Sequence, residues 1–172
     1  MKKALLVIDM VKDFLEKDGT LYCGDRAREI IPFVQKKIEE MRNQKAKIIF
    51  VTDTHEEDDL EFQIFPKHCV EGTRGAEIID ELEIKQGDYI VKKKRYSGFY
   101  DTNLEKILNK EEIAAVYVVG VCTSICVMDT ISDLRNRDYP TFVFEKGVED
   151  FDTKAHTFAL ERIKAVLGAH VI

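Results

Sequence analysis

Residues 4–14 read ALLVIDMVKDF, and the first part of this stretch decides the class of fold. Ala4 to Ile8 form an uninterrupted apolar run, without the polar alternation of a half-exposed strand. Such a run is typical of a strand that is buried on both faces, as in parallel sheets covered by helices. Asp9 follows the run directly. The opening therefore predicts an α/β protein whose first strand ends at a carboxylate.

The rest of the chain repeats this pattern, because short apolar runs alternate with longer segments of helical periodicity. We expect a three-layer α/β/α sandwich around a mostly parallel sheet of about six strands. Residues 1–172 are predicted to form one domain. The predicted strands are 4–8, 48–51, 89–91, 115–119 and 141–144, followed by an apolar segment at 169–172, and the predicted helices are 25–44, 76–82, 103–108, 124–136 and 152–166.

The composition narrows the class of protein. The net charge is −6 and the pI about 5.3, with acidic and basic residues interleaved, so no basic face is expected to bind nucleic acid. The opening apolar run is too short for a signal peptide, and no segment is long enough to span a bilayer. The four cysteines are therefore expected to be thiols in a cytoplasmic protein. Small molecules, rather than nucleic acid or membranes, are the expected partners.

Residues capable of chemistry follow four of the predicted strands. In open parallel sheets, ligands bind just beyond the carboxyl ends of the strands. Each residue alone also fits a turn, a helix cap or a solvated strand end. Their convergence on one edge of the sheet predicts a functional site there. The residues are Asp9 after the first strand, Asp53 and His55 after the second, 92–95 (KKKR) after the third, and Gly120, Cys122 and Cys126 after the fourth.

Cys126 lies in the first turn of a predicted helix, where free N–H groups and the helix dipole favour a thiolate. It is a candidate nucleophile, and the same N–H groups could hold the oxyanion formed when a thiolate attacks a carbonyl. If no histidine serves Cys126, Asp9 is the best placed base, and Lys93 would stabilise the anion and lower the pKa of the thiol. Alternatively, Cys122 and Cys126 are small core residues or ligands of a structural zinc site.

The segment between residues 53 and 68 contains a carboxylate, an imidazole, a second carboxylate and a second imidazole. Such N and O donors suit a divalent Zn, Fe or Mn ion with open coordination positions. The other interpretation is a solvated acidic loop, because residues 56–59 (EEDD) lie in the same segment. The candidate ligands are Asp53, His55, Glu61 and His68.

Four segments resemble the isochorismatase-like cysteine hydrolases, and among them the nicotinamidases (pyrazinamidases). ALLVIDMVKDF resembles the family's first strand, VKKKRYSGFYDTNLE its lysine block, GVCTSICVMDT its nucleophile block and FPKHCVEGTRGAE the nicotinamidase metal loop. The resemblance covers nearly the whole chain. It implies a hydrolase that converts nicotinamide to nicotinate and ammonia in NAD salvage. It also implies one divalent metal ion as cofactor, with zinc ahead of iron or manganese.

The resemblance assigns a role to each site residue. Asp9, Lys93 and Cys126 would be catalytic, with Lys93 selected among three lysines by its spacing from the Ser-Gly-Phe element. A cis peptide bond is implied between Val121 and Cys122. The backbone N–H groups of Cys122 and Cys126 would form the oxyanion hole, Phe14, Phe65 and Tyr96 would line the substrate pocket, and Asp53, His55, Glu61 and His68 would bind the metal.

Two positions depart from the family pattern, since Phe65 stands where tryptophan is usual and Lys67 replaces one proline of a Pro-Pro-His element. A related hydrolase acting on another small amide, a carbamoyl or a ureido compound is therefore a second interpretation. A third, from another class, is a non-catalytic metal-binding or thiol-redox module built on Cys122 and Cys126. Family members commonly self-associate, so a homo-oligomer is expected.

Overall fold

A sheet of six parallel strands runs through the computed structural model, which describes residues 1–172. The strands lie in the order β3-β2-β1-β4-β5-β6, so β1 is an interior strand. All the predicted strands are present, and the apolar segment at the end of the chain supplies the sixth. Their bounds are β1 Lys3–Ile8, β2 Lys47–Asp53, β3 Tyr89–Lys93, β4 Ala115–Val121, β5 Thr141–Glu149 and β6 His170–Val171.

Helices cover both faces of the sheet, as strands buried on both sides require. On one face, Leu5 and Val7 of β1 join one hydrophobic cluster, and on the other face Leu6 and Ile8 join a second. The predicted three-layer sandwich is therefore confirmed. No helix is long and apolar enough to cross a membrane. The first cluster includes α1 (Lys12–Leu15), α2 (Asp25–Glu29) and α3 (Ile31–Asn43), and the second includes α4 (Leu104–Lys110), α5 (Met128–Asn136) and α6 (Thr153–Ala165).

The segment predicted as one helix over residues 25–44 forms two helices. Pro32 lies in the first turn of α3, where its missing N–H is tolerated. Deeper inside a continuous helix it would remove a hydrogen bond and clash with the preceding turn. The chain therefore breaks at Ile30, between α2 and α3. The predicted apolar face is otherwise retained, with Ile31, Val34, Ile38 and Met41 buried.

The prediction of a helix over residues 76–82 is wrong. Only one 3-10 turn forms in this region, at Arg74–Ala76. Beyond it, Ile78 makes an antiparallel bridge with Val11, and the N–H of Ile79 donates to the carbonyl of Met10. These bonds to another part of the chain replace the local bonds of a helix. Apolar spacing alone therefore misidentified the element.

The carboxyl ends of β1 and β4 adjoin where the strand order reverses direction. In open α/β sheets this is the position where ligands bind. Gly120 of β4 pairs with Ile8 of β1 at a φ of 123°, and a Cβ there would lie 2.0 Å from the carbonyl oxygen of Ile8. Only glycine permits so close an approach. Asp9 and Cys122, the residues that follow these two strands, are thereby brought to one edge of the sheet.

Candidate active site

A cavity of about 280 Å³ opens at this edge of the sheet. It collects residues that are far apart in the sequence, from the first helix to the loop after β5. Ten of its thirteen lining residues are hydrophobic, which is typical of a pocket for a small organic molecule. The lining includes Phe14, Asp53, Phe65, Tyr96, Cys122 and Cys126.

Asp9 is completely buried and has a φ of 51°, which is uncommon outside glycine. Its Oδ1 atom accepts a 2.7 Å hydrogen bond from the backbone N–H of Asp53. Its Oδ2 atom forms an ion pair with Lys93, 3.0 Å from Nζ. One oxygen of the carboxylate is thus held by the backbone, and the other, beside the ammonium, is the one that can accept a proton.

Lys93 is the buried member of the lysine run. Its Nζ atom lies 2.9 Å from Oδ1 of Asp53 and 3.4 Å from Sγ of Cys126. Lys92 and Lys94 are exposed, because successive side chains of an extended segment point to opposite sides. The lysine selected by motif spacing is therefore the one that lies beside the candidate nucleophile.

Cys126 lies in a π-helical turn, Thr123–Val127, that leads into α5. The helix predicted over 124–136 thus begins with a wider turn than expected. Asp150, which directly follows β5 and is fully buried, anchors this turn. Its carboxylate accepts 2.8 Å hydrogen bonds from both the N–H and the hydroxyl of Ser124. The anchored turn presents Cys126 to the cavity.

The peptide bond between Val121 and Cys122 is cis, as the family resemblance implies. The backbone N–H of Cys122 donates no hydrogen bond within the protein. A free N–H at the edge of the cavity is a suitable donor for an oxyanion. The N–H of Cys126 remains the predicted second donor.

The pKa of the thiol differs from the sequence-based expectation. Burial raises the pKa of Cys126 well above its ordinary value, although Lys93 acts in the opposite direction. Lys93 thus acts in the predicted direction, but the pKa of the thiol rises because the loss of solvation outweighs the neighbouring ammonium. Burial also raises the pKa of Asp9, to about 6, against the influence of Lys93. Near neutral pH the site contains a thiol beside an ionised carboxylate, so proton transfer must accompany nucleophilic attack.

Lys93 stays protonated in spite of its burial. Burial would lower its pKa, but the carboxylates of Asp53 and Asp9 raise the pKa well above the ordinary value for lysine. A buried ammonium between two carboxylates is compensated and rigidly placed. It can therefore stabilise an additional negative charge on sulfur.

Four buried side chains, from the end of β2 and the loop after it, gather their donor atoms within 4.8 Å of one another. The Nε2 atoms of His55 and His68 lie 3.0 Å and 3.3 Å from the same oxygen, Oδ2 of Asp53. Oε1 of Glu61 lies 3.9 Å from Nε2 of His68. Two imidazole nitrogens and two carboxylate oxygens suit a divalent Zn, Fe or Mn ion. The residues present therefore fit the metal that the resemblance implies.

The interpretation of residues 53–68 as a solvated acidic loop holds for only part of this segment. Residues 56–58 are exposed, whereas the four candidate ligands are all buried.

The structure also bears on the alternatives for Cys122 and Cys126, in which both are core residues or both are ligands of a structural zinc site. Sγ of Cys122 contacts Sγ of Cys23 at 3.4 Å, whereas Sγ of Cys126 contacts Lys93. The two cysteines one turn apart thus have different partners, and the gathered donor group contains no cysteine.

The three aromatic residues predicted to bind substrate, Phe14, Phe65 and Tyr96, all line the cavity. The ring centroids of Phe14 and Phe65 lie 5.7 Å and 6.2 Å from that of His68. Aromatic walls therefore stand next to a candidate metal ligand. This arrangement suits a bound molecule that has a flat ring with a polar atom at the ring edge.

Sequence reasoning missed five further residues of the cavity lining. Ile125 lies within the recognised nucleophile segment, and Phe151 follows the end of β5, so position alone could have indicated both. Residues 21–23 lie in a loop without a motif and carry no such signal. The five residues are Leu21, Tyr22, Cys23, Ile125 and Phe151.

Comparison with known proteins identifies the family. A model of the isochorismatase domain matches residues 3–172. The chain belongs to the isochorismatase family. The solved structure of an isochorismatase relative, a nicotinamidase/pyrazinamidase from Bacillus subtilis, matches the chain with a TM-score of 0.94 and 32% identity, covering 99% of both chains.

Two further structures widen the range of chemistry among the relatives. An N-carbamoylsarcosine amidase from Thermoplasma acidophilum matches with a TM-score of 0.91 and 36% identity, over 99% of this chain and 95% of that one. A pyrazinamidase from Pyrococcus horikoshii, solved in complex with zinc, matches with a TM-score of 0.93 and 30% identity, over 100% of this chain and 99% of that one. The chain is therefore an isochorismatase-family hydrolase of a kind that acts on small molecules.

Proposed function

We propose that this isochorismatase-family hydrolase cleaves the carboxamide of nicotinamide, giving nicotinate and ammonia, a reaction of NAD salvage. The observation that carries the proposal is the 3.4 Å contact between Sγ of Cys126 and Nζ of Lys93, in a buried cluster with Asp9. A thiol, an ammonium and a carboxylate in one desolvated cluster supply a nucleophile, charge stabilisation and a proton acceptor.

Asp9 is the general base of the proposed reaction. As Sγ of Cys126 attacks the carboxamide carbon, the thiol proton moves to Oδ2 of Asp9 and the carbonyl oxygen becomes an oxyanion. The C–N bond then breaks, the proton passes from Asp9 to the leaving nitrogen, and ammonia departs from a thioester. Water attacks the thioester carbon while Asp9 accepts its proton. Cleavage of the C–S bond releases the carboxylic acid, and Asp9 returns the proton to Cys126.

Lys93 and the backbone stabilise the charges that develop during these steps. The ammonium of Lys93 lies beside the sulfur and offsets negative charge on it. The N–H groups of Cys122 and Cys126 would hold the oxyanion. One such donor typically contributes a factor of about 100 to 1,000 in rate.

Asp53, His55, Glu61 and His68 would hold a divalent metal ion, with zinc ahead of iron or manganese. The zinc complex of the similar Pyrococcus horikoshii enzyme supports this choice. Such an ion, when bound, supplies an open coordination position for the ring nitrogen of the substrate. The neighbouring aromatic walls would hold the ring itself.

The charge of the cavity lining favours a neutral amide. No lysine or arginine is among the thirteen lining residues. The nearby ammonium of Lys93 is already shared by Asp9 and Asp53. A substrate with its own carboxylate, such as a ureido acid, would have only the proposed metal ion as a cationic partner in this apolar pocket. Nicotinamide carries no such group.

A second candidate reaction is the hydrolysis of a carbamoyl or ureido compound. The observation that favours it is the 36% identity with the N-carbamoylsarcosine amidase from Thermoplasma acidophilum. The same cluster of Cys126, Lys93 and Asp9 would serve either reaction, because both break a C–N bond at a carbonyl carbon. The two candidates differ in what the rest of the cavity must bind.

An ammonia-release assay tests the proposal. Protein loaded with zinc, iron or manganese is given nicotinamide, pyrazinamide, benzamide, N-carbamoylsarcosine and a ureido acid, with and without chelator. We expect nicotinamide and pyrazinamide to react fastest, and chelation to slow both. Faster release from N-carbamoylsarcosine or the ureido acid would establish the second candidate. Metal binding without ammonia release from any compound would indicate a non-catalytic metal-binding module.

A further inference from the structure

We propose that Asp59 and Arg95 position the metal ligands and thereby set the metal affinity of the site. The inference rests on the metal site of the proposed function, and neither residue is among its four candidate ligands. Asp59 lies in the loop after β2, and Arg95 lies just beyond β3, two residues after Lys93. Their contact, here named the Asp59–Arg95 clasp, joins the loop after β2 to the segment after β3, the strand that carries Lys93.

Asp59 contacts two of the candidate ligands through different oxygens. Its Oδ2 atom lies 3.0 Å from Nδ1 of His55, and its Oδ1 atom accepts a 2.9 Å hydrogen bond from the backbone N–H of Glu61. The Asp59 side chain is only 5% exposed, so water competes weakly for these contacts. One carboxylate therefore orients a histidine ring and also begins the 3-10 turn Leu60–Gln63, which carries Glu61.

The contact with Asp59 fixes which ring nitrogen of His55 is available to a metal ion. With a metal ion on Nε2, Nδ1 would keep its proton and donate it to Asp59, because a carboxylate only accepts hydrogen bonds. His68 is oriented in the same way, since its Nδ1 lies 2.7 Å from the carbonyl oxygen of Pro66. Both Nε2 atoms then face the carboxylate of Asp53. Partners of this kind behind a histidine ligand orient the ring and strengthen metal binding.

Arg95 holds Asp59 from the solvent side. Its Nη1 atom lies 2.9 Å from Oδ1 and 3.1 Å from Oδ2 of Asp59. The guanidinium thus offsets the burial of the Asp59 carboxylate from one side, while the carboxylate contacts His55 and the N–H of Glu61 from the other.

Substitution of Asp59 by asparagine preserves the size of the side chain and removes one acceptor. The amide oxygen of Asp59→Asn can accept from His55 or from Glu61, and its NH₂ group faces the other donor. Loss of an outer partner of this kind typically weakens metal binding by about 10-fold to 100-fold. Arg95→Gln leaves the carboxylate of Asp59 in place and should weaken binding by a smaller factor.

The experiment measures the zinc affinity of the full chain by competition with a chromophoric chelator. Nitrogen NMR of the His55 imidazole shows whether Nδ1 carries the proton in zinc-loaded protein. Glu56→Gln is the matched control, because Glu56 is exposed, lies in the same loop and pairs with Lys94 at the surface. Circular dichroism and thermal melting establish that each variant is folded.

We expect zinc to bind Asp59→Asn at least about 10-fold more weakly than the unsubstituted protein, with Arg95→Gln intermediate and Glu56→Gln unchanged. Unchanged affinity in Asp59→Asn and Arg95→Gln would overturn the clasp and leave the metal site standing. If Asp59→Asn does not fold, the zinc affinity of Arg95→Gln is the test. An unchanged zinc affinity in Arg95→Gln would then overturn the clasp. Failure of the unsubstituted protein to bind zinc would overturn the metal site itself, and the clasp with it.

Discussion

Asp53 and Lys93 are paired across β2 and β3, and Oδ1 of Asp53 accepts a 2.9 Å hydrogen bond from Nζ of Lys93. The other oxygen of this carboxylate faces the Nε2 atoms of His55 and His68. Burial opposes ionisation of Asp53, but Lys93 and the two histidines hold its pKa far below its ordinary value. One carboxylate therefore belongs both to the nucleophile cluster and to the candidate metal site.

The nucleophile assignment predicts opposite results for two cysteines that line the same cavity. Cys126→Ala should abolish turnover and leave folding and substrate binding intact, because only the sulfur is replaced. Cys122→Ala should keep much of the activity, since its proposed role is through the backbone N–H. Steady-state ammonia release and calorimetric binding of nicotinamide measure the two effects. An active Cys126→Ala together with an inactive Cys122→Ala would show that the nucleophile is misassigned.

Lys93→Ala should lower kcat by roughly 100-fold or more, the scale on which positioned electrostatic groups act. It should also destabilise the fold by about 3–5 kcal/mol, because it leaves buried carboxylates without their partner. Rates are therefore compared well below the melting temperature of the variant.

The matched controls for Lys93 are its two neighbours. Lys92 and Lys94 are exposed and pair with Glu71 and Glu56 at the surface. Lys92→Ala and Lys94→Ala should therefore retain activity near that of the unsubstituted protein. Equal losses of activity in all three variants would contradict the special role of Lys93.

The pH profile should reveal the raised pKa of Asp9. Because Asp9 must be ionised to accept the thiol proton, kcat/KM should fall as the pH drops through about 6, the pKa that burial gives this carboxyl. Below that value the decrease should approach about 10-fold per pH unit. The measurement uses nicotinamide in buffers of constant ionic strength, with circular dichroism to show that the protein stays folded. Constant kcat/KM well below this pKa would exclude Asp9 as the base.

Comparison of nicotinamide with benzamide tests whether a metal ion held by Asp53, His55, Glu61 and His68 recognises the ring nitrogen of the substrate. Benzamide has the same shape but lacks the ring nitrogen that would coordinate the ion. A site built for one polar atom can reject the analogue without it by a factor on the order of 10⁴, although water can fill the vacant metal position and reduce the gap. We expect kcat/KM for nicotinamide to exceed that for benzamide by at least about 100-fold.

His68→Ala, or removal of the metal by a chelator, should erase most of this preference for nicotinamide. The rate on benzamide should change less, because no coordinate contact is lost with that substrate. Similar rates on both amides in metal-loaded protein would rule out the nicotinamidase assignment. Cys126 would then remain the nucleophile of another amidase.

The amino-acid sequence by itself determined the layers of the fold and the edge of the sheet where the site lies. Ala4 to Ile8 are apolar without alternation, and that local pattern suffices to predict a strand buried on both faces. Because parallel strands end at a common edge, Asp9, Asp53, Lys93 and Cys126 could be expected to meet there. Hydrophobic periodicity and position after a strand are local properties, so the sequence carries them directly.

Only the tertiary structure decided the features that depend on which segments pack together. The pKa of Cys126 is raised rather than lowered, because burial, a product of the whole fold, outweighs the nearby Lys93. Residues 77–82 form no helix, since Glu77 and Ile79 make backbone hydrogen bonds with the distant segment at residues 10–12. The contact of Asp59 with Arg95 likewise joins two loops far apart in sequence. Desolvation and long-range hydrogen bonds are set by packing, and no local pattern of residues encodes them.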